Sequence, residues 1–150
     1  MLQKGDQLPD ISLKNENNQE IKLKDFIGKP MVIFFYPKDN TKVCTAQACS
    51  FRDHFDEYLK YDAVILGISK DSPESHSKVV SKRALPFPLL SDPKGKAIKA
   101  FKVSTYLFGI LSARCTFVID KAGIIQYAFR EDFKAEYHIT KSLKLLSKLK

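Results

Sequence analysis

With 150 residues, 44% of them hydrophobic and including 11 Phe and 6 Tyr, the chain is long enough to fill one sizeable core, and a single domain over residues 1–150 is expected. Twenty-five Lys and Arg against 17 Asp and Glu leave a formal charge of +8, yet no basic helix face interleaved with stacking aromatics is evident, so a nucleic-acid-binding module is not expected. The N-terminus has no basic segment followed by an apolar run, there is no stretch of about eighteen apolar residues, and three cysteines are too few for a secreted disulfide scaffold; a cytoplasmic protein that keeps off membranes and holds its thiols reduced is expected.

In chain order, Ile11-Ser12-Leu13 and Ile21-Lys22-Leu23 flank the turn-prone Asn15-Glu16-Asn17-Asn18 and predict an N-terminal β-hairpin. The continuous apolar run Met31 to Tyr36, ended by Pro37, has the pattern of a central strand buried on both faces. After a loop from Pro37 to Thr41, apolar residues at Ala48, Phe51, Phe55, Tyr58 and Leu59 predict an amphipathic helix, with Cys44 near its start. Ala63 to Ile68 reads as a second buried strand, followed by a helix that Ser72 caps and Pro73 opens. Leu85 to Leu90 is too rich in proline for helix, and Ser91-Asp92-Pro93-Lys94-Gly95 is a turn before a short helix through Phe101. Cys115 to Asp120 and Ile124 to Phe129 form a late hairpin in which Gly123 takes the left-handed conformation. A closing helix carries Ile139, Leu143, Leu146 and Leu149 on one stripe, with Lys141, Lys144, Lys148 and Lys150 solvated. Such a basic amphipathic helix can lie on a membrane, but docking on the sheet is the favoured reading. The order describes an α/β fold, a central mixed sheet flanked by helices.

The segment from Phe35 to Asp53 carries the chemistry. A cysteine in the first turn of a helix faces unpaired backbone N–H groups and the positive end of the helix dipole, both of which stabilise a thiolate. Thr41, three residues upstream of Cys44, offers a hydroxyl to the sulfur or to a bound substrate oxygen; Pro37 can shield the sulfur from bulk water, and Lys42 adds positive potential. A thiolate that attacks one oxygen of a peroxide needs donors where the leaving oxygen becomes negative. Arg114, at the start of a predicted strand, is the best candidate, because a guanidinium presents several fixed donors and stays charged. Cys49 follows Cys44 by five positions, which on an ideal helix separates the Cα atoms by roughly 8.5 Å. A disulfide tolerates only about 7 Å. If the two cysteines bond, the first turns of the helix must unwind.

These residues make the chain recognisable. Thr41-Lys42-Val43-Cys44, Cys49-Ser50-Phe51-Arg52-Asp53, Leu66 to Ser72, Leu85 to Pro93 and Arg114 to Asp120 together resemble the bacterioferritin comigratory protein, or Q-type, group of peroxiredoxins, nearly end to end. The resemblance implies a thioredoxin-like fold and an atypical two-cysteine thiol peroxidase that needs no metal or organic cofactor. It makes Cys44 the peroxidatic cysteine and Cys49 its resolving partner in an intramolecular disulfide. Pro37, Thr41 and Arg114 complete the active site, hydroperoxides are the substrates, and thioredoxin is the reductant. An intramolecular pair needs no second chain, so a monomer is expected. The chain departs from the group in Lys42-Val43 where Pro-Gly is usual, in Gln47 where Glu is frequent, and in Cys115 where Ser or Thr is common.

Other readings are weaker. A general thiol-disulfide oxidoreductase on the same fold needs a closely spaced dithiol, and there is no Cys-x-x-Cys. His54, His76 and His138 lack zinc spacing with the cysteines, and none is needed as a base if Cys44 is already ionised. Cys115 is expected to be an inert core residue on the opposite sheet face from Arg114. The apolar stretch Tyr106 to Leu111 either lines a pocket for larger hydroperoxides or packs in the core.

Overall fold

A computed structural model describes residues 1–149; Lys150, expected on the solvated face of the last helix, lies outside them. Among the described residues nine strands and five α-helices follow in the order β1 (Ser12–Lys14), β2 (Glu20–Lys22), β3 (Met31–Phe35), α1 (Lys42–Asp53), α2 (Phe55–Leu59), β4 (Val64–Ser69), α3 (Pro73–Arg83), β5 (Leu89–Ser91), α4 (Lys96–Ala100), β6 (Thr105–Tyr106), β7 (Leu111–Ser112), β8 (Cys115–Ile119), β9 (Ile125–Arg130) and α5 (Ala135–Ser147), with a short 3-10 helix at Leu23–Phe26. Seven strands form one mixed sheet in the order β2-β1-β5-β4-β3-β8-β9, with β3 parallel to β4 and antiparallel to β8. The N-terminal hairpin is formed, with Leu13 paired to Ile21. Gly123 closes the β8–β9 turn at a φ of 82°, as its position predicts.

Strand β3 shows why its sequence is apolar throughout. Successive side chains alternate between faces, so Met31, Ile33 and Phe35 enter one core layer while Val32 and Phe34 enter the other. The first layer includes Ala97 and Ile98 of α4, with Phe101 and Phe117. The second holds Phe51 of α1, Tyr58 of α2, Val79 of α3 and Ile139 and Leu146 of α5. Each such side chain contributes about 1.5–3 kcal/mol by leaving water.

The helix after Cys44 differs from its predicted course. It breaks at His54, where φ is −104° and ψ is 11°, and restarts as α2. The break changes the phase of the apolar stripe, so Tyr58 is fully buried while Leu59 is 54% exposed. In α5 the buried face runs through Ala135, His138, Ile139, Ser142, Leu145 and Leu146; Leu143 lies at its margin, and the helix ends before Leu149, which is partly buried beyond it. Polar His138 and Ser142 can face inward because each has a partner: the Thr116 hydroxyl lies 2.7 Å from His138 Nδ1, and Tyr58 Oη lies 2.7 Å from Ser142 Oγ. The helix thus docks on α1 and β8. Among the described residues no helix is long and apolar enough to cross a membrane.

The stretch Tyr106 to Leu111 does not pack in the core. It forms the tip of the β6–β7 hairpin, where Leu107 and Phe108 take positive φ and Phe108 is fully exposed. Strands of two residues carry no periodicity from which they can be read.

Candidate active site

Strand β3 delivers the chain to a loop, Tyr36 to Thr41, that turns into α1 with Thr41 in the N-cap position. Cys44 therefore sits in the first helical turn, where backbone N–H groups lack intrahelical acceptors. The helix is held on the sheet by Phe51, which stacks on Phe34 with ring centroids 4.5 Å apart. Gly67 of the neighbouring strand makes room for Phe34: a Cβ there would come within 2.7 Å of the Phe34 ring and of Leu89. The cysteine's position is thus fixed by packing two turns further along the helix.

Cys44 is buried, and so is Arg114, the residue just before β8. The two meet across 70 residues of sequence: Arg114 Nη2 donates to Cys44 Sγ at 3.1 Å. Nη1 donates to Gln47 Oε1 at 2.6 Å, and Nε donates to the Asp132 carbonyl at 3.2 Å. The backbone N–H of Arg114 also donates to the Asp132 carboxylate. A guanidinium held by three partners offers its donors without further ordering when negative charge develops on sulfur or on an adjacent oxygen.

Gln47 lies three residues after Cys44, on the same helical face. It is fully buried, its carbonyl is committed to Arg114, and its Nε2 donor has no hydrogen-bond partner among the described residues. Where a glutamate would set a negative charge against the guanidinium, this neutral amide orients Arg114 without adding one.

A second buried cluster braces the loop from the α3 side. Asp39 Oδ1 accepts from the Tyr36 hydroxyl at 2.7 Å; Oδ2 accepts from Ser75 Oγ at 2.8 Å and lies 2.7 Å from His76 Nδ1. The backbone N–H of Asp39 donates to Asp71. Burial pushes the Asp39 carboxyl up, but His76 and the two hydroxyls outweigh it and hold the group below its ordinary value. The Tyr36 phenol is driven well above its ordinary value by burial and by Asp39.

Of the residues expected at the site, Cys44 and Arg114 are in direct contact, and Pro37 is half-buried in the loop that leads into α1. The Thr41 hydroxyl donates to the Lys38 carbonyl at 3.0 Å rather than to the sulfur, and makes no capping bond to the helix. Cys49 is half-buried within the intact helix, and all three cysteines are free. Cys115 lies in the opposite core layer, as expected; burial pushes its thiol up to about 11. Gln47 stood out in the sequence only as a departure from the glutamate frequent in the group. Asp132 and the Asp39–His76 contact join segments that no local pattern relates.

A sheet of this order, with a cysteine in the first turn of the helix after its central strand and a buried arginine on the sulfur, defines the class of thioredoxin-like thiol peroxidases. The AhpC/TSA family model matches residues 4–128. The chloroplastic Peroxiredoxin Q of Sedum lineare is 45% identical over 98% of this chain and 79% of its own length. Peroxidoxin BcpB of Mycobacterium tuberculosis superposes with a TM-score of 0.93 at 32% identity, covering 100% of this chain and 99% of that one. The bacterioferritin comigratory protein of Xanthomonas campestris, described for its alkyl peroxide reduction activity, gives 0.87 at 30% identity over 97% and 98%. The chain belongs to the AhpC/TSA family, as a peroxiredoxin of the Q-type, bacterioferritin comigratory protein group.

Proposed function

We propose that the enzyme reduces hydrogen peroxide and organic hydroperoxides through Cys44, is resolved by Cys49, and is recycled by thioredoxin. The observation that carries this reading is the buried Arg114 donor 3.1 Å from Cys44 Sγ. The thiolate attacks one peroxide oxygen, the O–O bond breaks, and the departing oxygen leaves with the bonding pair and takes a proton to become water or an alcohol. Arg114 meets the charge that develops on that oxygen. With its own proton given to Lys38, the Thr41 hydroxyl keeps lone pairs that accept the hydroperoxide O–H, and Pro37 limits the entry of bulk water.

Cys44 is then a sulfenic acid. The Cys49 thiol attacks its sulfur, expelling the hydroxyl as water and forming the disulfide. Both cysteines lie on one continuous helix, so this step requires the first turns of α1 to unwind. A thioredoxin dithiol reduces the disulfide by exchange, and the helix re-forms. The reaction uses residues 1–150 as one monomeric domain with no resident cofactor, and a chain with only three cysteines suits a reducing compartment such as the cytoplasm.

The test is mass spectrometry of the reduced protein after one equivalent of hydrogen peroxide, with peptide mapping. Rapid loss of two hydrogens mapped to a Cys44–Cys49 bond is expected. Slow oxidation spread over all three cysteines of a folded chain refutes the reading.

A further inference from the structure

The two faces of Cys44 are unlike. Arg114, just before β8, approaches one of them. On the α3 side, Cys44 shares a void of about 10 Å³ with Tyr36, Asp39, Thr45, Val79 and Arg83, a space no larger than one water. Asp39 therefore lines the same small void as the reactive cysteine. Left unpaired there, its negative charge would oppose formation of a thiolate.

The partners of His76 bear on that charge. The ring is fully buried. Nδ1 meets Asp39 Oδ2 at 2.7 Å, and Nε2 meets the Leu90 carbonyl at 3.1 Å. A carbonyl oxygen only accepts, so Nε2 carries a proton. Asp39 already accepts hydrogen bonds from the Tyr36 and Ser75 hydroxyls, which favours its ionised form, so Nδ1 carries a proton as well. His76 is then an imidazolium, and the pair it makes with Asp39 is neutral overall, as burial of both requires.

We propose that His76 is a positioning residue for Cys44: as an imidazolium it cancels the Asp39 charge at the void shared with the cysteine and pins the active-site loop to α3. It acts through Asp39 and does not touch the reacting atoms. The other charged or titratable groups around the two sites include Arg114 just before β8, Asp132 beside it and Arg130 at the end of β9, Arg83 from α3, Tyr106 from the β6–β7 hairpin, and Asp71 and Tyr36 beside the loop. This inference rests on Cys44 being the peroxidatic thiol.

Two measurements test it. Long-range proton–nitrogen NMR on the reduced wild-type protein at neutral pH should show both His76 ring nitrogens protonated; a ring with one protonated nitrogen overturns the proposal. The second is the pH profile of single-turnover Cys44 oxidation by hydrogen peroxide, without reductant. In His76→Gln the profile should move to higher pH, lowering the rate about tenfold on its acid limb, the effect of one uncompensated buried charge screened by the surrounding protein. In Asp39→Asn/His76→Gln, which removes both charges and keeps polar partners, the profile should return to that of wild type. A role confined to stability predicts loss of active protein with an unmoved profile, so an unmoved profile in His76→Gln overturns the proposal. A double variant displaced from wild type also overturns it, and this holds even if the single variant fails to fold. Failure of the underlying reading looks different: Cys44→Ser would then still consume peroxide in the same assay.

Discussion

Replacing Arg114 with methionine retains much of its buried aliphatic length and removes all three side-chain donors, at 3.1 Å to Cys44 Sγ, 2.6 Å to Gln47 Oε1 and 3.2 Å to the Asp132 carbonyl. Losing a charge-assisted hydrogen bond from the thiolate costs about 1.5–3 kcal/mol. Losing a donor at the oxygen that becomes negative costs about 2.7–4 kcal/mol in the transition state. One guanidinium serves both purposes, so the two overlap, and the second-order rate of Cys44 oxidation should fall about 10²- to 10³-fold. Arg114→Lys keeps the charge but cannot span Cys44, Gln47 and Asp132 together, and a fall of about tenfold is expected. The chain contains no tryptophan, so the rate is best read by quenched-flow alkylation of the remaining Cys44 thiol and mass spectrometry. Both variants oxidising within threefold of wild type, while folded by circular dichroism, would refute the role of the arginine.

Cys49→Ser should still consume one equivalent of peroxide and then stall with Cys44 as sulfenic acid; full thioredoxin-coupled turnover would refute its resolving role. Gln47→Glu should set a carboxylate against Arg114, draw its charge away from the sulfur, and slow Cys44 oxidation by roughly three- to tenfold, about 1 kcal/mol, in the same alkylation assay. Cys115→Ala should leave turnover unchanged. The Cys115 thiol is held neutral in the folded protein up to about 11, against an ordinary value of 9.0, so the unfolded chain loses this proton first and stability falls as pH rises between those values. Denaturant titrations should show this slope in wild type, amounting to roughly 2–3 kcal/mol, and a flatter one in Cys115→Ala.

Much of the fold was written in local patterns. The unbroken apolar run of β3, the Ser72-Pro73 start of α3, where the Ser72 hydroxyl accepts from the Ser75 N–H, and the left-handed Gly123 each follow from constraints that act over a few residues. The placement of Cys44 in a first helical turn is of the same kind, and so is its spacing from Cys49. Where neighbouring elements set the answer, the sequence fell short. The break at His54, the inward turn of His138 and Ser142, and the two-residue strands β6 and β7 depend on partners supplied by other segments.

By itself, then, the sequence determined which thiol sits at a helix start and which arginine opens the strand opposite. Only the tertiary structure decided that Arg114 reaches Cys44 while Thr41 turns away to Lys38, that Gln47 holds the guanidinium without adding a charge, and that Asp39 is matched by His76. The physical reason is range. Helix starts and turns are set by backbone geometry between near neighbours, whereas the charge state and orientation of a buried group depend on which distant polar atoms the packing of the sheet brings within hydrogen-bond distance.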